Sequence, residues 1–466
     1  MATDPTASAA LEYARQNRDV FLDRLFELLR FPSISTQVEN AVDVEKAADW
    51  LVNYLKEIGF SEAQKYSTAG HPLVYAEWLE AGPSFPTLLV YGHYDVQPVD
   101  PLDLWHKPPF EPSVDGDVLY GRGASDDKGQ MMALLAALEA YLRTSGCLPL
   151  NVKVLLEGEE EILSPNMGPF LAEHNRQLAC NAVLICDDSI LDPQTPVITY
   201  GLRGNCYMEV RVSGPSRDLH SGSFGGAVDN PFNVLVRMLA ALQDGKTHKV
   251  LIPGFYDRVR EIDEAERALL AAYPASEEQT LRLTGAPALA GEQGYRLIEW
   301  TSVRPTLDIH GIPGGFTGEG KKTVIPAWAA AKVSMRLVPD QDPDEIQVLF
   351  ENAMRSIAPP TVKLEFKCLG KARPAVIDYR CPAAQAVAEA YRRGFGVQPV
   401  YTRTGGSIAV VAEMMQYLGA PVIMAGLGLP DDQIHAPNER FYLPNFYRGI
   451  ETFIHYYNIL STTTLS

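Results

Sequence analysis

Residues 126–161 read DDKGQMMALLAALEAYLRTSGCLPLNVKVLLEGEEE. A polar loop flanked by glycines and containing Asp126 opens into an apolar segment that predicts a helix over 128–143. Residues 152–156 are apolar and rich in β-formers, which predicts a strand, and this strand ends in a cluster of acids. The stretch therefore predicts a helix followed by a strand, with acidic side chains at the turn before the helix and after the strand.

The same arrangement continues on both sides of this stretch. Further strands are predicted at 87–91, 182–186 and 422–424, and helical segments lie between them. Polar residues follow these strands: His93, Asp95, Asp187, Asp188 and, in a later loop, His435. Strands that alternate with helices predict an α/β fold with a largely parallel sheet, and ligands of such sheets bind beyond the carboxyl ends of the strands.

The pattern changes near residue 205, which divides the chain into three parts. Alternating strands are predicted at 206–212 and 324–337, with helices at 232–243 and 342–356 and a long charged helical segment at 256–271. This block predicts a smaller α+β domain inserted into the larger one. We expect a catalytic domain formed by residues 1–204 and 374–466, and an inserted domain over 205–373.

Composition and charge exclude several classes of protein. The chain has 466 residues, 46% of them hydrophobic, and a formal net charge of −18. This composition is typical of globular domains, and the acidic balance disfavours binding to nucleic acid or to an anionic membrane surface. The six cysteines form no CxxC pair, and residues 1–20 contain no apolar signal segment, so we expect a cytoplasmic protein without a membrane span.

Each candidate site residue also has a purely structural interpretation. An HxD pair is often incidental, adjacent acids before a helix often serve as caps, and a run of glutamates is usually a solvated face. A lone histidine, such as His220 or His435, is more often a structural residue than a ligand. Together, however, several strand ends and one loop present histidines and carboxylates, and this mixture suits zinc or another first-row divalent ion. More ligands are present than one tetrahedral zinc needs, which suggests two bridged ions.

These segments together resemble the M20 metallopeptidase family over nearly the whole chain. Asp126 follows His93 by 33 residues, and Glu160 follows Asp126 by 34. The closest likeness is to the branch that contains the cytosolic nonspecific dipeptidases and carnosinases. The segments that carry it are YGHYDVQP, LYGRGASDDKG, LLEGEEE, ITYGLRG, DLHSG, KTVIPAWAAAKVSMRLVP, GGSI and PDDQIHAPNE.

The resemblance implies a dinuclear metal site and a role for each residue in it. His93 and Asp187 would bind one zinc ion, and Glu161 and His435 the other. Asp126 would bridge the two ions, and the peptide bond after it would be cis. Two further residues would assist: Asp95 would orient His93, and Glu160 would act as the general base. Glu159, Glu160 and Glu161 are three consecutive candidates, of which the family spacing selects Glu160 and Glu161. The metal could also be manganese or cobalt.

The resemblance extends to substrate binding in the inserted domain. His220 would reach the active site of a partner subunit and stabilise the oxyanion, and Arg336 would bind the substrate carboxylate. Thr323 and Ser407 match positions that contact substrate in the dipeptidase branch. The inserted domain would therefore act as a lid and would mediate a homodimer.

The function implied is metal-dependent hydrolysis of the amide bond of dipeptides, or of similar short substrates with a free C-terminal carboxylate. One alternative on the same site is an N-acyl-amino-acid deacylase or desuccinylase. A second is a non-catalytic binding protein that keeps the fold. No GxSxG elbow, HExxH motif or phosphate-binding P-loop is present in the sequence.

Overall fold

The structure, a computed structural model, describes residues 4–274, 276–406 and 408–465. It divides into two compact units. The first comprises Met1–Tyr200, Ile377–Tyr401 and Val410–Ser466, and the second comprises Gly201–Val376 and Thr402–Ala409.

The α-helices of the described residues are given in chain order. They are α1 (Pro5–Gln16), α2 (Arg18–Leu29), α3 (Ala41–Ile58), α4 (Lys128–Ser145), α5 (Met167–His174), α6 (Ser221–Phe224), α7 (Pro231–Ala240), α8 (Glu264–Ala272), α9 (Glu277–Thr284), α10 (Leu297–Ser302), α11 (Pro343–Ile357), α12 (Pro382–Phe395), α13 (Ala409–Leu418) and α14 (Leu443–Ser461).

The β-strands follow the same order. They are β1 (Glu62–Tyr66), β2 (Leu73–Trp78), β3 (Thr87–His93), β4 (Ser113–Asp115), β5 (Val118–Tyr120), β6 (Asn151–Glu157), β7 (Ala182–Cys186), β8 (Val197–Leu202), β9 (Gly204–Ser213), β10 (Leu219–His220), β11 (Thr306–Gly311), β12 (Val324–Ile325), β13 (Trp328–Leu337), β14 (Lys363–Ala372), β15 (Ala375–Val376), β16 (Val400–Thr404), β17 (Val422–Ala425) and β18 (Arg440–Tyr442).

The first unit is built on a mixed sheet in the order β1-β2-β6-β3-β7-β17-β8. Its central neighbours β6, β3, β7 and β17 run parallel, whereas β1, β2 and β8 pair antiparallel with their neighbours. The α/β class with a mostly parallel central sheet is therefore confirmed. Both β6 and β7 are buried along their whole length, and β7 is apolar throughout, as expected for strands covered on both faces.

Helix α4 forms the centre of the first unit's core. It is buried from Lys128 to Tyr141, and it packs against α1, α14 and β3. Ala, Leu and Met side chains lie on every side of α4, so its burial follows from this composition. Its buried polar residues Lys128, Gln130 and Glu139 are hydrogen-bonded.

The second unit contains an antiparallel sheet in the order β11-β13-β9-β14. Helices α7 and α11 pack on it, and β9 alternates buried and half-buried residues along its length, as expected for a sheet covered on one face. No helix in the described part of the chain is long and apolar enough to cross a membrane.

Two predicted helices differ from the structure. The periodic apolar residues of 11–30, among them Leu22, Leu25 and Leu29, predict one helix. The structure forms parts of two helices there, because the backbone leaves the helical conformation at Asn17, whose side chain donates a hydrogen bond to the Tyr13 carbonyl. The segment predicted at 256–271 becomes helical only at Glu264. Asp263 caps this helix by accepting a hydrogen bond from the Glu266 amide.

Candidate active site

The parallel strands bring the candidate site residues to one edge of the first unit's sheet. Because β6, β3, β7 and β17 are parallel neighbours, their carboxyl ends lie side by side. His93 is the last residue of β3, the glutamate run follows β6, and Asp187 follows β7. The loop before α4 contributes Asp126, and the loop after β17 contributes His435.

A first group of possible metal ligands consists of His93, Asp127 and Asp187, whose ligand atoms lie within 4.8 Å of one another. His93 Nε2 lies 3.7 Å from Asp187 Oδ2. The Asp127 carboxylate accepts a hydrogen bond from the His93 amide at 3.2 Å through Oδ2. Its other oxygen, Oδ1, is buried and has no hydrogen-bond partner among the described residues. A buried carboxylate oxygen without a partner is costly, and a cation would satisfy it.

A second group consists of Asp126, Glu161 and His435. His435 Nε2 lies 2.9 Å from Asp126 Oδ2 and 3.3 Å from Glu161 Oε2. The other oxygen of Asp126, Oδ1, lies 3.1 Å from His93 Nε2. Asp126 therefore presents one oxygen to each group. The peptide bond between Asp126 and Asp127 is cis.

Asp95 connects His93 to the start of the glutamate run. The Nδ1 atom of His93 lies 3.1 Å from the Asp95 carbonyl oxygen and 3.4 Å from Asp95 Oδ1. Both neighbours are acceptors, which assigns a proton to Nδ1, while Nε2 faces Asp126 and Asp187 in the site. The Asp95 carboxylate also accepts hydrogen bonds from the amides of Glu160 and Glu161, at 3.2 and 3.1 Å.

The glutamates after β6 occupy different surroundings. Glu157 accepts a hydrogen bond from the Tyr91 hydroxyl, and Glu159 accepts one from the His71 amide at 2.9 Å. Glu160 and Glu161 lie together in the short 3₁₀ turn that follows. The structure thus directs two of these side chains into protein contacts and brings Glu161 to His435.

Asp187 and Asp188 are separated in the same way. The Asp188 carboxylate accepts hydrogen bonds from the Ser189 amide at 2.7 Å and from the Thr199 hydroxyl. Asp187, in contrast, lies against His93.

Burial and mutual repulsion shift the protonation of the site. Burial raises the pKa of Glu160 to about 7, and burial together with the charge of Asp127 raises the pKa of Asp187. Hydrogen bonds with Asp126 and Glu161 raise the pKa of His435 to about 10. The carboxylates outnumber the histidines, so the site attracts positive charge, whether as protons or as metal ions. Two histidines among carboxylates form a donor set that fits two first-row divalent cations.

The remaining predicted residues belong to the second unit. His220 pairs with Val324 across β10 and β12, and its Nδ1 accepts a hydrogen bond from the Gly222 amide at 3.1 Å. The Thr323 carbonyl accepts a hydrogen bond from the Ser221 amide at 3.1 Å, next to His220. Arg336 lies on β13. Ser407 lies outside the described residues.

Two residues of the first unit were not predicted from the sequence. Asp127 belongs to the first group, although its position before α4 suggested a helix cap. Gln97 donates a hydrogen bond from Nε2 to Glu161 Oε2 at 2.7 Å. One feature of the sequence could have indicated Gln97: it lies two residues after Asp95. On an extended chain, residues two apart place their side chains on the same face.

Comparison with known proteins identifies the family. The model of peptidase family M20/M25/M40 matches residues 89–458. The chain belongs to this family. The resemblance to the M20 metallopeptidase family, which the sequence motifs indicated, is thereby confirmed.

Its relatives include several dipeptidases. The Cys-Gly metallodipeptidase DUG1 of Candida albicans is 33% identical, with 94% of each chain covered. The Beta-Ala-His dipeptidase of Mus musculus is 32% identical, covering 84% of this chain and 80% of its own. Among solved structures, the M20 family metallo-carboxypeptidase Sso-CP2 from Sulfolobus solfataricus superposes with a TM-score of 0.86 at 33% identity. That match covers 95% of this chain and 99% of the other. These relatives do not favour the deacylase alternative.

Proposed function

We propose that this M20-family peptidase is a metal-dependent dipeptidase that hydrolyses the amide bond of substrates with a free C-terminal carboxylate. The observation that carries the proposal is the meeting of two histidine–carboxylate groups at Asp126. The dipeptidase names of two relatives support the substrate class.

In this proposal the two groups hold two divalent ions, for which zinc is the first choice and manganese or cobalt the alternatives. His93 and Asp187 would hold one ion, Glu161 and His435 would hold the other, and Asp126 would be shared by both. The contact of His93 Nδ1 with Asp95 supports the first assignment, because a second hydrogen bond of this kind fixes the tautomer and ring orientation of a metal-binding histidine.

Glu160 is the proposed general base. Bound divalent ions supply Lewis acidity and lower the pKa of a water at the site. Glu160 takes a proton from the attacking water and passes it to the leaving amine nitrogen. The Asp95 carboxylate supports this role by holding the Glu160 amide, which fixes the turn that carries the side chain.

His220 and Arg336 are the proposed contacts to the substrate, with Thr323 and Ser407 as further ones. Since His220 Nδ1 accepts the Gly222 amide hydrogen, the neutral imidazole carries its proton on Nε2. Nε2–H can then donate to the scissile carbonyl oxygen as negative charge develops there. The guanidinium of Arg336 binds the terminal carboxylate of the substrate as a charged pair.

We further propose that the inserted domain, residues 205–373, serves as a lid and as the dimerisation surface, and that residues 1–204 and 374–466 form the catalytic domain. Large apolar side chains exposed on the second unit support a homodimer. They include Phe224, Val228 and Val236, which are 43%, 40% and 51% exposed.

A cytoplasmic location is part of the proposal. The six cysteines all lie within the described residues, and each is a free thiol. Free thiols are typical of a reducing compartment.

The test is a substrate panel assayed with the purified chain before and after chelation. It contains Cys-Gly, β-Ala-His and Ala-Ala, the C-terminal amide of each, and acetylated single amino acids. We expect turnover of at least one free dipeptide, loss of turnover with chelator, recovery with zinc, and at least about a hundredfold preference for the free carboxylate over the amide. Faster turnover of the acetylated amino acids than of every dipeptide would instead establish a deacylase.

A carboxypeptidase is a second candidate, favoured by the likeness to Sso-CP2. The same panel extended by N-acetylated tripeptides and pentapeptides separates the two. A dipeptidase leaves these peptides intact, whereas a carboxypeptidase releases their last residue.

A further inference from the structure

Glu439 lies directly behind the loop that carries Asp126. It precedes β18, which pairs with β5, and β5 leads into this loop. The side chain of Glu439 is completely buried, at 0% exposure. In the sequence, Glu439 is the last residue of the segment PDDQIHAPNE.

Within the described part of the chain, all four hydrogen bonds of the Glu439 carboxylate join it to this loop. Oε1 accepts hydrogen bonds from the amides of Ser125 and Asp126, at 3.0 and 3.1 Å. Oε2 accepts one from the Gly123 amide at 3.0 Å and one from Arg122 Nη1 at 2.7 Å. The carboxylate is therefore surrounded by donors from the segment that ends at Asp126.

Arg122 balances the buried charge and fixes the position of the pair. It is only 1% exposed, and its Nη2 donates to the Pro98 carbonyl at 3.0 Å. Its guanidinium also lies over the Trp105 ring, 5.4 Å from the centroid. A buried carboxylate is tolerated when its charge is paired and its oxygens are hydrogen-bonded, and both conditions hold for Glu439.

The donor arrangement requires a carboxylate at this position. Each oxygen faces two donors, so an amide in its place would turn an NH₂ group toward two N–H groups in either orientation. A shorter carboxylate would not reach all four donors.

We propose that Glu439 is a positioning residue that holds the Asp126 carboxylate between the two metal-binding groups. This inference rests on the proposed two-ion site. Glu439 acts through the backbone, because its contact with the Asp126 amide and with the amides before it sets where the two oxygens of Asp126 lie. Since one oxygen faces His93 and the other faces His435, a displaced loop weakens the binding of both ions.

The experiment compares metal binding by the wild-type chain, Glu439→Gln and Glu139→Gln. Glu139 is the matched control, because it is 2% exposed, pairs with Arg143, accepts a hydrogen bond from Tyr54 and lies away from the Asp126 loop in α4. Each metal-free chain is titrated with Co²⁺, following the visible absorption of the bound ion, and bound zinc is counted by elemental analysis. The melting temperature of each metal-free chain is measured in parallel.

We expect two ions per wild-type chain, and an affinity lower by about 10–100-fold for both ions in Glu439→Gln with an altered Co²⁺ spectrum. Glu139→Gln should keep the wild-type affinity and spectrum even if its melting temperature falls. Wild-type affinity in Glu439→Gln, or an equal loss in Glu139→Gln, overturns the positioning role. Fewer than two ions in the wild-type chain would contradict the proposed function itself. If Glu439→Gln does not fold, Glu439→Asp is titrated in the same way, and unchanged affinity in that variant overturns the inference.

Discussion

Asp126 shows how one residue can couple two binding groups. Its two oxygens face the imidazoles of His93 and His435. These two histidines come from separate stretches of the sequence that form the first unit. In the same site, Asp95 and Glu439 contact mainly backbone amides rather than the centre of the site. Carboxylates outside the two groups thus hold the backbone at Glu161 and at Asp126.

The proposed base can be separated from the ligands by substitution. Glu160→Gln keeps the size of the side chain and removes its ability to accept a proton. We expect kcat to fall by about 10²–10⁴-fold, since this is the usual contribution of a general base. Zinc content by elemental analysis should stay at the wild-type level. Near-normal turnover with full metal content would refute the assignment.

A second residue-scale prediction concerns stability and pH. His455 in α14 is 8% exposed, its Nδ1 has no hydrogen-bond partner among the described residues, and burial lowers its pKa to about 4. The charged groups around it oppose one another: Arg393 and Arg15 disfavour its protonation, whereas Glu451 and Glu389 favour it.

Because the folded chain keeps His455 neutral while the unfolded chain protonates it below about pH 6.5, stability is lost as the pH falls from 6.5 toward 4. Between pH 6.5 and 4, we expect the free energy of unfolding to fall less in His455→Gln than in the wild-type chain. The difference should be on the order of 1 kcal/mol after allowance for partial screening by solvent. Urea unfolding of the metal-free chain between pH 4 and 7.5 measures it. The exposed His106→Gln serves as control, and equal pH dependence in wild type and His455→Gln would contradict the prediction.

At the scale of elements, the junction between the Asp126 loop and α4 is tightly packed. Gly129 lies in the first turn of the helix, where an added Cβ would come within 2.0 Å of the Ala124 carbonyl oxygen and 2.8 Å of a Phe441 ring carbon. Only a residue without a side chain allows the loop, the helix and β18 to approach this closely.

Gly129→Ala is therefore expected to destabilise the chain and to disturb the site together. Overpacking of this kind costs about 1–3 kcal/mol. The melting temperature should fall, and the affinity for Co²⁺ should fall with it. Gly245→Ala is the control, since nothing lies within 4 Å of its added Cβ. Unchanged metal affinity in Gly129→Ala would show that the loop can shift without moving Asp126.

The sequence revealed the elements better than their contacts. Strand ends at His93 and Asp187 were predictable, because apolar runs mark buried strands and parallel strands share an edge. The contact of Glu439 with the Asp126 loop was not, since 313 residues separate the two and no local pattern records the pairing. The place of Asp127 among the possible metal ligands was not predictable, because an aspartate directly before a helix is equally typical of an N-cap. The helix predicted from residue 256 starts later because the backbone first forms tight turns, in which the Asp257 and Val259 amides donate to the Gly254 and Tyr256 carbonyls.

At the scale of the whole molecule, the first unit is assembled from separated stretches of the chain. The candidate ligands all lie in this unit, and the predicted oxyanion and carboxylate contacts lie in the second. Metal binding and substrate binding should therefore be separable by mutation.

Metal removal should lower stability as well as activity. A ligand that binds only the folded chain stabilises it by about 2.7 kcal/mol at a hundred times its dissociation constant. We expect chelation to lower the melting temperature of the wild-type chain and zinc to restore it. In Asp126→Asn, zinc should restore much less, because both groups lose their shared carboxylate. An equal rise in both proteins would contradict the proposed bridging role.

The proposed role of His220 across a dimer is tested by mixing variants. His220→Ala and Glu160→Ala should each be nearly inactive alone. If His220 acts on the partner subunit, an equal mixture that exchanges subunits should recover about a quarter of the wild-type activity, since half the dimers are hybrid and each has one intact site. A mixture of His220→Ala with the double variant should recover nothing. No recovery in the first mixture, with exchange verified, would place His220 in its own subunit's site.

The distance along the chain between Asp126 and His435 also has a consequence for synthesis. The two residues are 309 positions apart and touch in the folded first unit. At a translation rate of about 5–20 residues per second, the Asp126 loop is synthesised roughly 15–60 s before His435 and Glu439. During most of that interval the nascent chain contains His93 and Asp187, but it lacks His435 and Glu439, which both follow β17. A ribosome-bound chain is therefore expected to acquire its full pair of metal ions only after His435 has left the ribosome, so that loading is a late step of maturation rather than an aid to early folding.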